Sequence, residues 1–565
     1  MSLFSSIQLA KNSLFASQVG LQVTGNNIAN ANTPGYTRQE AIVSPASSQR
    51  IGNLILGLGV NVTAVVQAAD QFLEERLRGA NSDLKFGEAQ EKAYIELESL
   101  IGELSDTDLS SSLSRFFNGF SDVLNQPESL SARSVATLHG QTLTQDIRHL
   151  DERVRVIRGQ LDERIAGQAV EVNQAINEIV KLNKEIVADE GGGSSASDSA
   201  GLRDKRAAAL TRLASLIDIR VVEQSTGAVN VFSGGEYLVF EGEARSVVAV
   251  DVVDGGQTIT QLRLADTDLP ISTSSGELAG LQLARDEVLG GFLERLDSFT
   301  KTLAFEFNKL HTSGQGLTGY SELTSEFAVA DEDAALDQAS LEFNPVSGTF
   351  QVQVYNSETR LTETTDVFVQ LDGLEDDTTL TGLTAALDEI DGLNAEITAE
   401  RKLSLTSDAS NLQFAFANDD SGLLAALGLG TFFSGSSSSD VEVNQELLAD
   451  ASKLAASSGG IGADTINAER MAALLNAPLS SQNGLTLAES YDGLVGETVE
   501  NAAVTRAVAE GYRVFYNTLH AQRLATSGVN LDEEAVNMIV YQRAFQASAR
   551  FISTLSEVIE ILVSL

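Results

Sequence analysis

Both ends of this chain carry an apolar residue at every seventh position, and no other feature restricts its fold as much. Ile7, Leu14, Leu21 and Ile28 are seven apart, and Leu3, Ala10, Ser17 and Thr24 form a companion row of mostly small residues. At the other end Leu531, Met538, Phe545, Ile552 and Ile559 repeat by seven, with Tyr541, Leu555 and Leu562 filling much of a second row. A seven-residue apolar repeat marks helices that pack along a narrow seam, and small residues in one row allow close approach. At about 1.5 Å rise per residue the two helices are predicted to be roughly 45 and 50 Å long. Matched lengths at opposite termini predict that the ends pair with each other. Such a pair has little else to bury against, so it is also predicted to pack on neighbouring subunits.

Between the ends the chain changes character. Its 565 residues suggest about four domains. Only six prolines occur, so very long helices are permitted. One is predicted over 129–187, where Leu143, Ile147, Leu150, Val154, Ile157 and Leu161 alternate by four and three. Ile165 and Ala169 then give two consecutive fours before Val172, Ile176 and Ile179 resume, a stutter that locally unwinds a supercoil. GGGSSASDSAG (191–201) reads as a linker, 202–216 as a helix, and DIRVVEQ, AVNVFSGG, EYLVFEG and SVVAVDVV as strands. Helix is predicted again over 276–310 and from about 485 to the end, with β-rich text over 320–440. The predicted class is α+β, elongated and multidomain. Residues 1–60 plus 526–565 form a terminal coiled-coil domain, and 61–216 plus 445–525 a long-helix bundle on which the 276–312 helix packs. Residues 217–275 and 313–444 form inserted β-rich outer domains.

Composition excludes several activities. The net charge of −42 argues against a nucleic-acid or anionic-membrane binder, because phosphate contacts need clustered Lys and Arg. An apolar fraction of 43% argues against wholesale disorder. The absence of cysteine removes disulfides, thiolate metal sites and a Cys nucleophile. The four histidines have no metal-ligand spacing, and neither GxxxxGK[ST] nor GxSxG occurs. One GxGxxG, at Gly314, Gly316 and Gly319, follows a predicted helix rather than a strand, so it reads as a glycine helix stop followed by turns. No catalytic residue, cofactor or metal site is predicted. No apolar run approaches the length of a membrane span, and the first 15 residues lack the pattern of a cleavable signal.

Two polar motifs adjoin the terminal stripes. In NNIANANTPGYTRQE (26–40), Pro34-Gly35 fits a type II turn that ends the first helix. Asn26, Asn27, Asn30 and Asn32 crowd its last turn, where amides can bond across a packed interface. In SGVNLDEE (527–534), Gly528 breaks one helix and Asn530 caps the next, with Glu533 placed for a capping box.

These two motifs resemble the N- and C-terminal signatures of the flagellar axial protein family, which comprises rod, hook and hook-associated proteins. Three internal stretches, 200–239, 275–319 and 419–444, narrow the resemblance to its hook-associated branch, and the likeness runs in order from residue 2 to the C-terminus. Phe545 stands where Tyr is common in that family, which keeps the seam apolar. The resemblance implies a non-enzymatic structural protein of the hook–filament junction. It implies an N-terminal assembly interface of Ile7, Leu14, Leu21, Ile28, Asn26, Asn27, Asn30, Asn32, Pro34, Gly35 and Tyr36. The C-terminal counterpart is Gly528, Asn530, Leu531, Met538, Tyr541, Phe545, Ile552, Leu555, Ile559 and Leu562. The implied partners are copies of the chain in a ring or helical layer, the hook protein, the second hook–filament junction protein, and a cognate export chaperone on the C-terminal region. No nucleic acid and no membrane insertion are implied. The implied location is extracellular, reached through the flagellar type III apparatus without a cleaved signal. The alternatives are another axial protein of hook or rod type, or a secreted acidic adhesin.

Overall fold

The computed structural model describes residues 3–51, 54–102, 109–193, 195–254, 257–374 and 376–564. Its helices in chain order begin with α1 (Leu3–Asn30), α2 (Gln71–Gly102), α3 (Leu109–Asn125) and α4 (Leu130–Asp189). Then come α5 (Ala200–Leu216), α6 (Gly276–Leu283), α7 (Gly291–Thr312), α8 (Leu380–Asp388), α9 (Leu423–Leu427) and α10 (Gln445–Ala449). The last three are α11 (Ile466–Ala473), α12 (Leu487–Ser527) and α13 (Leu531–Ser564). Strands fill the stretches between α1 and α2, α5 and α6, and α7 and α10, so the class is α+β as predicted. No helix among the described residues is long and apolar enough to cross a membrane. The chain divides into two compact units, one of residues 1–93, 159–285 and 503–565, the other of 94–158 and 286–502.

The first unit holds both termini. Residues 39–67, for which no element was predicted, form an antiparallel ribbon in which Gln39–Pro45 pairs with Val60–Gln67. Strands Arg220–Glu223, Val229–Ser233, Glu236–Phe240 and Glu243–Ala244 form a four-stranded sheet in chain order. Val247–Asp254 and Gln257–Leu264 form a second ribbon. Two asparagines of α4 dock these strands. Asn183 Nδ2 donates to Val229 O at 2.8 Å while its Oδ1 accepts the Val229 N–H at 3.1 Å. Asn173 treats Val247 likewise, at 2.7 and 2.8 Å. At the predicted stutter Ile165 and Ala169 are buried, and Gln168 is turned inside with them.

The second unit is built on two three-stranded antiparallel sheets. Gly348–Asn356 lies between Leu361–Val369 and Leu412–Ala417, and Leu403–Ser407 lies between Glu322–Thr324 and Leu393–Ile397. Phe350, Val352, Leu403, Leu405, Phe414 and Leu380 of α8 share one core. A separate aromatic cluster joins Phe116 and Phe120 of α3 to Phe307 of α7 and to Phe432 and Phe433, with ring centroids 4.8–5.4 Å apart. Asn308 docks the segment that carries the last two, donating to Phe433 O at 2.8 Å and accepting both the Phe432 and Phe433 N–H groups.

One prediction about the segment 276–319 needs correction. The single predicted helix is two, because Ala284–Gly290 is wound as a π-helix between α6 and α7. A wider π turn costs hydrogen-bond quality and marks a local compromise in packing. As predicted, α7 stops just before Gly314 and turns follow, while the glycines at 314, 316 and 319 keep φ angles that are not positive. They are small because other backbone lies close: a Cβ on Gly316 would sit 2.4 Å from Ser452 O.

His311, near the end of α7, is fully buried beside the aromatic cluster. Its Nδ1 lies 2.9 Å from Gly430 O, to which it donates, and Nε2 accepts the Ala455 N–H at 3.2 Å. Burial lowers its pKa from 6.5 to about 4. The unfolded imidazole takes up a proton near pH 6.5, whereas the folded one resists until about pH 4. Stability of this unit is therefore predicted to fall as pH drops through that window, by up to about 3 kcal/mol, and to level off below it. Amide exchange at Ala455 should accelerate over the same range, and His311→Gln should flatten that pH dependence.

Candidate functional site

The two terminal helices pack against each other antiparallel. Ser548 Oγ bonds Ser13 Oγ at 2.9 Å, and the Tyr541 ring lies over Gly20. Both contacts obey one antiparallel register, which sets Ala16 across from Phe545 and Val23 across from Met538. The seam is asymmetric. On α1 the most buried positions are the small companion row, with Ala10, Ser17 and Thr24 each no more than 5% exposed. Ile7, Leu14, Leu21 and Ile28 are only half-buried. On α13 the facing side chains are large: Met538, Tyr541, Phe545, Ile552, Leu555 and Ile559 are all half-buried. Leu531 points away at 50% exposure, and the side chain of Leu562 lies outside the described residues. Small residues set against large ones bring the helix axes close and fill the space between them.

Gly20 is the tightest point. A Cβ there would lie 2.6 Å from Tyr541 Cε1, so only glycine admits the ring. A glycine inside a helix costs about 1 kcal/mol relative to alanine, which is a signal that something approaches closely.

The asparagine-rich motif works within the chain. Gly35 has φ +79° and the Tyr36 N–H donates to Thr33 O at 3.2 Å, which is the predicted turn. It returns the chain to α1. Asn27, 1% exposed, donates to Gln39 O at 3.0 Å and accepts the Gln39 N–H at 2.9 Å and the Tyr36 hydroxyl at 2.8 Å. Asn26 donates to Gln39 Oε1, and Asn30 Nδ2 donates to the Asn26 backbone and side chain. Asn26, Asn32 and Pro34 are exposed.

Beyond the turn, the start of the ribbon is fastened to the other terminus. The Arg38 N–H donates to Ser527 O at 2.9 Å, and Arg38 Nε pairs at 2.9 Å with Glu534, a carboxylate 2% exposed. Gly528 makes room where α12 turns into α13, since a Cβ there would strike Leu524 O. Asn530 caps α13 as predicted, its Oδ1 accepting the Asp532 N–H at 3.1 Å. The capping motif's buried carboxylate is Glu534, however, while Glu533 stays exposed. Asp204 of α5 closes the cluster, accepting the Thr37 N–H and, at 2.7 Å, Gln67 Nε2. Burial raises the Asp204 carboxyl, and burial aided by Asp204 and Glu534 pushes the Tyr36 hydroxyl up to about 12. The Glu534 hydrogen bond holds Arg38 above its ordinary range. Arg38, Glu534, Asp204 and Gly20 were not among the predicted site residues.

One face of α13 remains uncovered. Val536, Ile539, Val540, Phe551 and Val558 are 41–60% exposed. The site is a buried seam and a polar clasp, with a second apolar face turned outward.

Gly20→Val is predicted to force Tyr541 aside and weaken the helix pair by about 2 kcal/mol. Faster proteolysis of both termini in the soluble chain would register this. Arg38→Ala leaves Glu534 buried without its partner and should destabilise the unit that holds the termini by about 2 kcal/mol, measurable by urea unfolding. Arg38→Lys should restore only part of that loss.

The chain is similar to known proteins. A family model described as the flagellar hook-associated protein FlgK helical domain matches residues 94–326. Models of the flagella basal body rod protein and of the flagellar basal body rod FlgEFG protein C-terminal region match 7–37 and 520–565. Flagellar hook-associated protein 1 of Bacillus subtilis (strain 168) is 25% identical over 572 residues, covering 99% of this chain and 97% of the relative. The proteins of the same name from Salmonella typhimurium and Escherichia coli (strain K12) are 25% and 23% identical, over 99% of this chain and 100% of each relative. The fold is similar to that of the flagellar hook junction protein FlgK from Burkholderia pseudomallei, with a TM-score of 0.50 and 14% identity over 80% of this chain and 100% of that one. The rod-type models fall on the two helices that pair and the hook-associated model falls between them, and nearly the whole chain is similar to proteins named flagellar hook-associated protein 1, a likeness that supports a structural role in the flagellum.

Proposed function

We propose that this chain is a building block of the hook–filament junction and that it assembles through its terminal helices. The observation that carries this reading is the two-sided use of α13. One side is buried on α1, while Val536, Val540, Phe551 and Val558 on the other are exposed to water. A helix apolar on opposite sides is stable only when both are covered. Burying such residues stabilises association at about 25 cal/mol per Å².

In this reading residues 1–60 plus 526–565 form the inner domain shared by copies in a ring or helical layer. Residues 61–216 plus 445–525 form the helical domain, and 217–275 and 313–444 the outer parts. The assembly interface comprises the seam and clasp residues described above together with the exposed face of α13. The hook protein lies on one side and the second junction protein on the other. A cognate chaperone covers the C-terminal region before export through the flagellar type III apparatus. An exposed apolar helix needs such cover, because uncovered apolar patches promote aggregation.

Labelling the full-length chain in flagellated cells tests the reading. A single spot between hook and filament is expected, and a variant lacking residues 531–565 should fold in its middle yet be missing from sheared flagella. Diffuse label in flagellated cells, or incorporation of the truncated chain, would refute the proposal.

A further inference from the structure

We propose that Phe72, Arg76 and Phe515 form a docking surface for a second copy of this chain. The proposal rests on the assembly reading above and adds a contact outside the terminal helices. The Arg76 guanidinium carbon lies 5.9 Å from the Phe72 ring centroid and 6.0 Å from that of Phe515. Both rings face water, at 69% and 45% exposure.

Three observations point to a protein partner and to a copy of this chain. First, α12 over 503–527 buries only one stripe. Ala509 and Leu519 are buried, and Leu519 packs with Leu73, Leu77 and Ala80 of α2. The opposite rows should then be polar. Instead Val504, Val508, Val514 and Phe515 are 45–56% exposed, and the patch with Phe72 and Arg76 continues along them.

Second, Arg76 has no carboxylate within ion-pair distance among the described residues. On the same helix pair Arg523 bonds Glu74, and Arg513 reaches Glu88, Glu91 and Glu510. The chain carries 79 acidic and 37 basic residues. A neighbouring copy brings an excess of carboxylates to Arg76. The exposed C-terminal half of α13, where Phe551 and Val558 alternate with Glu557 and Glu560, has the complementary chemistry.

Third, arginine stacked on exposed aromatic rings is the composition of an interface core, and the cation–ring attraction grows once a partner excludes water. A lone arginine in an acidic chain is a poor site for a polyphosphate. No reacting group adjoins it.

A photoreactive amino acid at position 515 of the full-length chain, irradiated in isolated flagella, tests the proposal. The expected product is a cross-linked pair of this chain. Cross-linking to a different flagellar protein, or no cross-link in a chain that has incorporated, overturns the surface but leaves the junction reading intact. If the substitution at 515 blocks incorporation, the probe is moved to Val508 on the same face and read in the same way. Arg76→Glu should lower incorporation into sheared flagella at least about five-fold while thermal unfolding of the soluble chain is unchanged, and Arg76→Lys should retain most of it. Unchanged incorporation of Arg76→Glu overturns the proposal. Absence of even the unsubstituted chain from flagella would instead defeat the junction reading itself.

Discussion

Everything at the assembly end of this molecule depends on small side chains of α1 meeting large ones of α13. The partners are far apart in the chain: 496 positions separate Arg38 from Glu534. Closing a flexible loop of that length would cost about 5 kcal/mol in chain entropy. The fold reduces that cost because the intervening chain is structured, and the end of α12 and the start of α13 bring Ser527 and Glu534 to Arg38. The seam then needs only to set register, which the Tyr541 ring on Gly20 and the Ser13–Ser548 bond accomplish. Because α1 contributes the small surface, its larger residues, Ile7, Leu14, Leu21 and Ile28, flank the contact and stay half-exposed. The same asymmetry that makes the pair close therefore leaves apolar surface for other chains.

A second device recurs across both units. Asn27, Asn173, Asn183 and Asn308 each stand on a helix and use the side-chain amide as a strand would use its backbone, donating to a carbonyl and accepting an N–H of an adjacent extended segment. Asparagine suits the task because its amide carries both donor and acceptor at a short, stiff reach. Strand edges that would otherwise lose these bonds on burial against a helix keep them. The long helices serve in this way as docking rails for small sheets that would be marginal alone.

Charge is distributed to the same end. Residues 1–65 hold three basic residues and one acid, and 506–565 hold five basic residues and six acids, so the excess of −43 lies in residues 66–505. Like charges gathered around a common axis repel. The terminal segments that pair with each other are nearly neutral, and their Arg38–Glu534 pair is matched, with the carboxylate buried.

Long helices, the α+β class and both terminal stripes were legible because periodicity is a local property of residue spacing. The Pro34-Gly35 turn and the Asn530 cap were legible for the same reason. Neither the ribbon at 39–67 nor the π turn within 276–312 was, since strand pairing and helix winding there are not marked by a simple spacing of residues. Asn26, Asn27, Asn30 and Asn32 were treated alike in the sequence reading, yet only Asn27 turns inward, because helical phase relative to a neighbour selects one of them. By itself the sequence determined the terminal helices, the long helix over 129–187 and the helix at 202–216, and that each terminal one has an apolar face. Only the tertiary structure decided that the small row of α1 meets the large row of α13, that Arg38 finds Glu534, and that a second face of α13 is left to water. A heptad specifies that a face is to be buried, whereas the surface that covers it depends on where the rest of the chain places the partner.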